Sequence, residues 1–155
     1  MHPLDHLIEK AVGFSTEEAM SIDEVNLYER LGEDVFWKLS TEFYNRVFND
    51  EEKWFRNIFK GRDQKEATRN QVEFFMQRMG GPPYFSKRKG HPALIQRHIG
   101  FNMNEKAAKR WLHHMKEALD SVKEIDSDSK ERMLKYFTHT AYFLSIAFDK
   151  MKERE

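Results

Sequence analysis

The chain contains no cysteine in 155 residues, which removes disulfides, thiolate nucleophiles and cysteine-bound zinc and suits a reducing compartment. Neither sign of charge dominates, with 26 basic residues against 26 acidic, so no overall field attracts nucleic acid or an anionic membrane. No apolar run approaches the length of a membrane span, and the opening Met-His-Pro-Leu-Asp-His lacks the form of a signal peptide. These absences predict a soluble, cytoplasmic protein with neither nucleic acid nor membrane as partner. Alternating strand patterns and internal repeats are missing too, as is any Gly-x-Gly-x-x-Gly phosphate loop. A flavin or nicotinamide reaction would therefore need a second protein.

What is present is helical pattern and aromatic bulk. Thirteen Phe, five Tyr, three Trp and eight Met are ample for one core or for lining an apolar ligand cavity. The fold class read from this is all-α, a single domain over 1–155, with 1–25 as a helical extension and 26–150 as the main body. Ser15 to Glu18 and Ser21 to Glu24 have capping-box spacing in the extension. From Gly32 to Asp50 the positions Val35, Phe36, Leu39, Phe43, Val47 and Phe48 make one apolar face, with Tyr44 at its edge. A short aromatic piece follows over 51–59. The next helix, capped by Asp63 and Glu66, turns Ala67, Gln71, Phe74, Phe75 and Arg78 or Met79 inward. Asn102 and Glu105 are expected to cap a helix with Met103, Ala107, Trp111, Met115 and Ala118 inside. The last helix starts at Ser127 or Asp128 and carries Met133, Phe137, Thr140, Leu144, Ala147 and Met151. Tyr44, Gln71 and Trp111 are thus inward polar tips on three separate helices.

Between the middle helices lies the one long stretch that is not a plain amphipathic helix. Gly80-Gly81-Pro82-Pro83 stops the preceding helix, because a glycine can take the left-handed cap conformation and proline cannot continue the ladder. A basic loop, Lys87-Arg88-Lys89-Gly90, then leads to a short apolar turn ending in Arg97-His98, an arrangement suited to wrapping an anionic object. Seven histidines raise the question of metal. His113 and His114 point about 100° apart on a helix and cannot chelate together, and His2 and His6 sit beside Pro3 at the terminus. Neither Glu-x-x-His nor His-Glu-x-x-His occurs, which argues against a di-iron carboxylate bundle and a zinc hydrolase. By spacing alone His98 reads as a core or surface histidine.

Several motifs together resemble group II truncated haemoglobins, most closely the plant-type two-on-two haemoglobins. They are Ser-Thr-x-Phe-Tyr-x-Arg-Val at 40–47, Asp-Glu-Glu-x-Trp-Phe at 50–55, Gln-Arg-Met-Gly-Gly-Pro-Pro at 77–83 and Arg-Lys-Gly-His-Pro-Ala-Leu-Ile at 88–95, followed by Arg97-His98, Phe101 and Trp111. The likeness runs from about Asp23 to about Phe148. It departs from the family pattern at Tyr84-Phe85 after the two prolines and at Ile99-Gly100-Phe101, where relatives tend to carry proline.

The resemblance implies a globin-like two-over-two helical sandwich around haem b, with His98 as the iron ligand. It implies Phe59 and Phe74 against the porphyrin, Ala67 at the distal gate, Tyr44, Gln71 and Trp111 as distal polar residues, and Arg88, Lys89 and Arg97 as partners of the haem propionates. Partners would be O2, CO, NO or other small haem ligands, with an external reductase if the protein turns over, and a homodimer is left open. Donors beside bound oxygen slow its loss, so the implied chemistry is tight oxygen binding with nitric oxide dioxygenation, nitrite reduction or peroxide handling, or else oxygen sensing or storage. The alternative is a haem-free all-α interaction module whose aromatic stripes are simply core.

Overall fold

The computed structural model describes residues 2–98 and 100–154, and within them every regular element is helical. In chain order these are α1 (Asp5–Val12), α2 (Thr16–Ala19), a 3-10 turn (Met20–Glu24), α3 (Leu27–Leu31), α4 (Glu33–Phe48), α5 (Lys53–Arg56) running into a 3-10 turn (Asn57–Phe59), α6 (Gln64–Arg78), α7 (Tyr84–Lys89), α8 (Leu94–His98), α9 (Glu105–Ser121) and α10 (Ser127–Lys152). Four long helices make the body. α4 packs on both α6 and α9, and α9 packs on α10, so the four share one packed body.

The packing follows from the apolar stripes. Phe36, Leu39, Phe43 and Val47 of α4, Val72 and Met76 of α6, Met115 and Leu119 of α9, and Met133 and Phe137 of α10 are all essentially inaccessible. Burying such a side chain contributes roughly 1.5–3 kcal/mol each before entropy. The stripe on α6 differs from the sequence expectation. Val72, Phe75, Met76 and Met79 form its core face, while Ala67, Gln71 and Phe74 form an adjacent, half-buried stripe. Three- and four-residue steps define a broad face without fixing which edge points deepest.

The residues ahead of α3 lie along the last helix. α1, α2 and the first 3-10 turn all pack on α10, with Ile8, Ala19 and Ile22 buried there. Ser15 caps α2 by accepting from the Glu18 amide, as its spacing predicts. The Ser21–Glu24 pair does not cap a helix, since it falls inside the 3-10 turn. Further on, Asp63 and Asp126 cap α6 and α10. The cap of α9 is Asn104, accepting from the Ala107 amide, and Asn102 lies outside it.

The central stretch contains more helix than a loop reading allows. Lys87, Arg88 and Lys89 form the last turn of α7, where three cations complement the carbonyl end of the helix. Gly80 does adopt the left-handed conformation (φ 103°) that ends α6. Gly81 is required by close approach, because a Cβ there would lie 2.6 Å from the Tyr28 ring and 2.8 Å from the Met76 carbonyl oxygen. Ile99, part of the departure from the proline pattern, lies outside the described residues.

Candidate functional site

Tyr44 sits one residue after the buried Phe43 on α4, so its ring turns to the edge of the core. Burial alone pushes the pKa of its hydroxyl well above the ordinary tyrosine value, and among the described residues the hydroxyl has no hydrogen-bond partner. From Tyr44 a run of rings leads in both directions. Phe43 lies 4.9 Å from Tyr44 and 4.9 Å from Trp111 of α9. In the other direction Phe59 lies 6.5 Å from Tyr44, Phe101 lies 6.4 Å from Phe59, and His98 lies 5.9 Å from Phe101. Four of the sequence candidates, Tyr44, Phe59, Trp111 and His98, are therefore joined by aromatic neighbours, from α4, the 3-10 turn after α5, α9 and α8.

His98 ends α8, and the local helix geometry fixes its state. Its Nδ1 lies 2.6 Å from the Leu94 carbonyl one turn earlier. A carbonyl only accepts, so Nδ1 carries the proton and Nε2 keeps a free lone pair. Burial lowers the pKa of His98, with the Leu94 bond acting in the opposite sense, so the imidazole is neutral at pH 7. A neutral imidazole whose far nitrogen is anchored to a backbone carbonyl is a prepared metal ligand. His98 also lines a cavity of about 370 Å³ with Ile95, Phe101, Met103, Leu144 and Phe148. A larger hollow of about 460 Å³, between Ile22–Asn26 and Gln77–Gly80, includes none of these residues.

Gln71 belongs to the half-buried stripe of α6, and its Oε1 is enclosed without a hydrogen-bond partner among the described residues. A buried amide oxygen left unpaired costs about 1–3 kcal/mol, the mark of a group with a partner other than the chain itself. Ala67 lies one turn earlier on that stripe. Phe74 lies one turn later and packs edge-on against Phe85 of α7 at 5.9 Å. The orphaned amide oxygen, the desolvated hydroxyl and the imidazole are each groups of a kind that a metal-bearing cofactor and its ligand could engage.

The three basic candidates have different surroundings. Arg88 is engaged within the fold, with Nε 2.7 Å from Glu73 and Nη2 on Asn70. Arg97 donates to the carbonyls of Lys89 and His91 and lies 5.0 Å over the Phe85 ring. Lys89 is exposed at the end of α7. Arg62, which no motif in the sequence marks, lies 4.5 Å over Phe101 beside His98. Tyr84 hydrogen-bonds Glu33 of α4 at 3.0 Å, an acceptor it shares with Tyr28.

One buried polar cluster went unseen in the sequence. Asp50, at the end of α4, has a fully enclosed side chain that accepts from Arg110 and His114 of α9. The Arg110 guanidinium, helped by the Glu52 amide and His114, holds the Asp50 carboxyl far below the usual carboxylate range against the effect of burial. Only the four-residue step from Arg110 to His114 on one helix hinted at it.

The bacterial-like globin family model matches residues 26–143. Group 2 truncated hemoglobin 3-1 of Lotus japonicus is 51% identical over 144 residues, covering 93% of this chain and 86% of that protein. Two-on-two hemoglobin-3 of Arabidopsis thaliana is 53% identical over 142 residues, covering 92% and 81% respectively. Among solved structures, a thermostable hemoglobin of Thermobifida fusca superposes with a TM-score of 0.72 at 30% identity, over 78% of this chain and 97% of that one. A truncated oxygen-avid haemoglobin of Bacillus subtilis gives 0.70 at 33% identity, over 76% and 96%.

Proposed function

The chain belongs to the bacterial-like globin family, and we propose that it holds haem b on His98 and binds oxygen and other diatomic gases reversibly beside Tyr44, Gln71 and Trp111. The observation that carries this is the state of His98: Nδ1 is committed to the Leu94 carbonyl and Nε2 is left as a free lone pair, on the same run of rings as Tyr44 and Trp111. When bound, haem supplies ferrous iron with a position for O2, CO or NO and passes partial negative charge to oxygen.

Everything else is done by the chain. Phe59, and Phe74 backed by Phe85, would pack against the haem and keep water from it, which strengthens every polar contact made there. The Tyr44 hydroxyl, the Trp111 indole N–H and the Gln71 amide N–H can each donate to a partly negative ligand. Two such bonds at about 1–1.5 kcal/mol each slow ligand escape by one to two orders of magnitude. Oxygen held that firmly suits reaction better than delivery. We therefore favour dioxygenation of nitric oxide to nitrate, with one electron returned per turnover by a separate reductase, or nitrite reduction or peroxide handling at the same site. Lys89 and Arg97 are the exposed cations available to the haem carboxylates, while Arg88 is held on Glu73. The absence of cysteine supports action in the cytoplasm.

The test is the absorption spectrum of protein expressed with haem available. An intense Soret band that shifts when carbon monoxide meets the reduced form is expected. Colourless protein that also fails to take up added hemin would overturn the reading.

A further inference from the structure

The Asp50 carboxylate is enclosed and fully used. Its Oδ1 accepts from Arg110 Nη2 at 2.7 Å and from the Glu52 amide at 2.9 Å, and its Oδ2 accepts from Arg110 Nε at 2.8 Å and from His114 Nε2 at 2.6 Å. His114 is buried, and its Nδ1 is enclosed with no partner among the described residues, so the ring is a neutral donor fixed in one tautomer. A buried ion pair is a poor source of net stability, yet its geometry is unforgiving once made. The question is what this geometry fixes.

Arg110 and His114 flank Trp111 on α9, one residue before it and three after. Held by one carboxylate, they pin the turn that carries the indole in both rotation and height. The carboxylate itself stands six residues past Tyr44 at the end of α4, and its own carbonyl accepts from Arg56 of α5. Phe55 of α5 lies 5.6 Å from the His114 ring and 5.4 Å from Phe59. The cluster therefore touches α4 and α9, which carry Tyr44 and Trp111, and α5, which runs into the 3-10 turn that carries Phe59.

We propose that Asp50 is a positioning residue of the gas-binding pocket: acting through Arg110 and His114, it sets where the Trp111 indole N–H stands relative to the Tyr44 hydroxyl. This rests on the reading of Trp111 as a donor to the ligand. It also assigns a task to two histidine-helix residues, Arg110 and His114, that do not reach the pocket themselves.

Asp50→Asn in the haem-loaded protein, alone and combined with Trp111→Phe, tests it by stopped-flow oxygen release. Asn keeps the shape but loses the charge and cannot serve all four donors. Release should accelerate about three- to tenfold in the wild-type background and less than about twofold when Phe stands at 111, since the indole through which Asp50 acts is then absent. Equal factors in the two backgrounds, or no change in either, would overturn the proposal and leave Asp50 a stabiliser only. A readout independent of haem is the indole ¹H–¹⁵N signal of Trp111, which should move in Asp50→Asn while that of the distant, exposed Trp37 does not. A moved Trp111 signal in protein that takes up no haem would sink the haem reading and leave the positioning intact. Should Asp50→Asn fail to fold, His114 carries the test. Gln places an N–H where Nε2 stands and should keep wild-type release, whereas His114→Phe should reproduce the acceleration, and identical behaviour of the two would refute the idea.

Discussion

Replacing Tyr44 by Phe separates a working gas-binding pocket from a polar residue that merely faces the core. The ring's neighbours, Phe43 at 4.9 Å and Phe59 at 6.5 Å, are kept by Phe, so no cavity opens. The hydroxyl is desolvated and without a partner among the described residues, so its removal forfeits no bond within the chain. Stability without haem should therefore stay within about 1 kcal/mol of wild type, with any change toward greater stability. The loss should appear only with ligand present. A hydrogen bond to a partly negative oxygen is worth about 0.7–2 kcal/mol, so oxygen release should quicken about three- to thirtyfold. Carbon monoxide carries little negative charge and should leave at nearly the wild-type rate. Stopped-flow release of both gases, with urea unfolding of the haem-free protein alongside, decides the matter. Equal acceleration of both gases would mean altered access rather than a lost bond, and unchanged release of both would remove Tyr44 from the pocket.

Other perturbations follow from the same geometry. Gln71→Leu removes an orphaned buried amide oxygen, so haem-free protein should gain up to about 1 kcal/mol in urea unfolding while oxygen release quickens; a loss of stability would show that the amide is paired. Gly81→Ala places a Cβ 2.6 Å from the Tyr28 ring and 2.8 Å from a backbone oxygen and should cost about 1–3 kcal/mol in the same assay, against no loss if the α6–α7 turn can open freely. Burial lowers the pKa of His114 and of His139 in the fold. The unfolded chain therefore binds more protons below the ordinary histidine value of about 6.5. Stability of the haem-free protein should be full above that pH and fall as the solution is acidified toward pH 5, with a shallower fall in His114→Gln. The depressed Asp50 carboxyl adds a further loss only at still lower pH, and a midpoint that is flat or rises on acidification would contradict both.

Much of this architecture was legible because it rests on periodicity and caps. The stripe Phe36, Leu39, Phe43, Val47 and the caps Ser15 and Asp63 lie where three- and four-residue spacing puts them. Tyr44, Gln71 and Trp111 stand out as polar tips on apolar faces, and among the described residues the first two have an unpartnered hydroxyl and an unpartnered amide oxygen. His98 was different. Spacing alone gave it no distinction, and only the motifs around it raised it, since its tautomer depends on a carbonyl four residues back in a helix too short to show periodicity. Of the Asp50 cluster only the four-residue step from Arg110 to His114 was legible. Its parts lie 60 and 64 residues apart along the chain, and His114 had been set aside with His113 as a pair that cannot chelate. The deep face of α6 was misjudged by about one residue, because a broad amphipathic face reveals its depth only once α4 is packed against it.

The claim on which everything else depends is that His98 Nε2 holds the iron, and the most direct test is the iron–histidine stretching band in the resonance Raman spectrum of the reduced, ligand-free protein. The band is expected in wild type, is lost in His98→Gly, and returns when imidazole is added to fill the space the ring leaves. Haem-loaded His98→Gly with an unchanged band and no response to imidazole would show that another residue binds the iron.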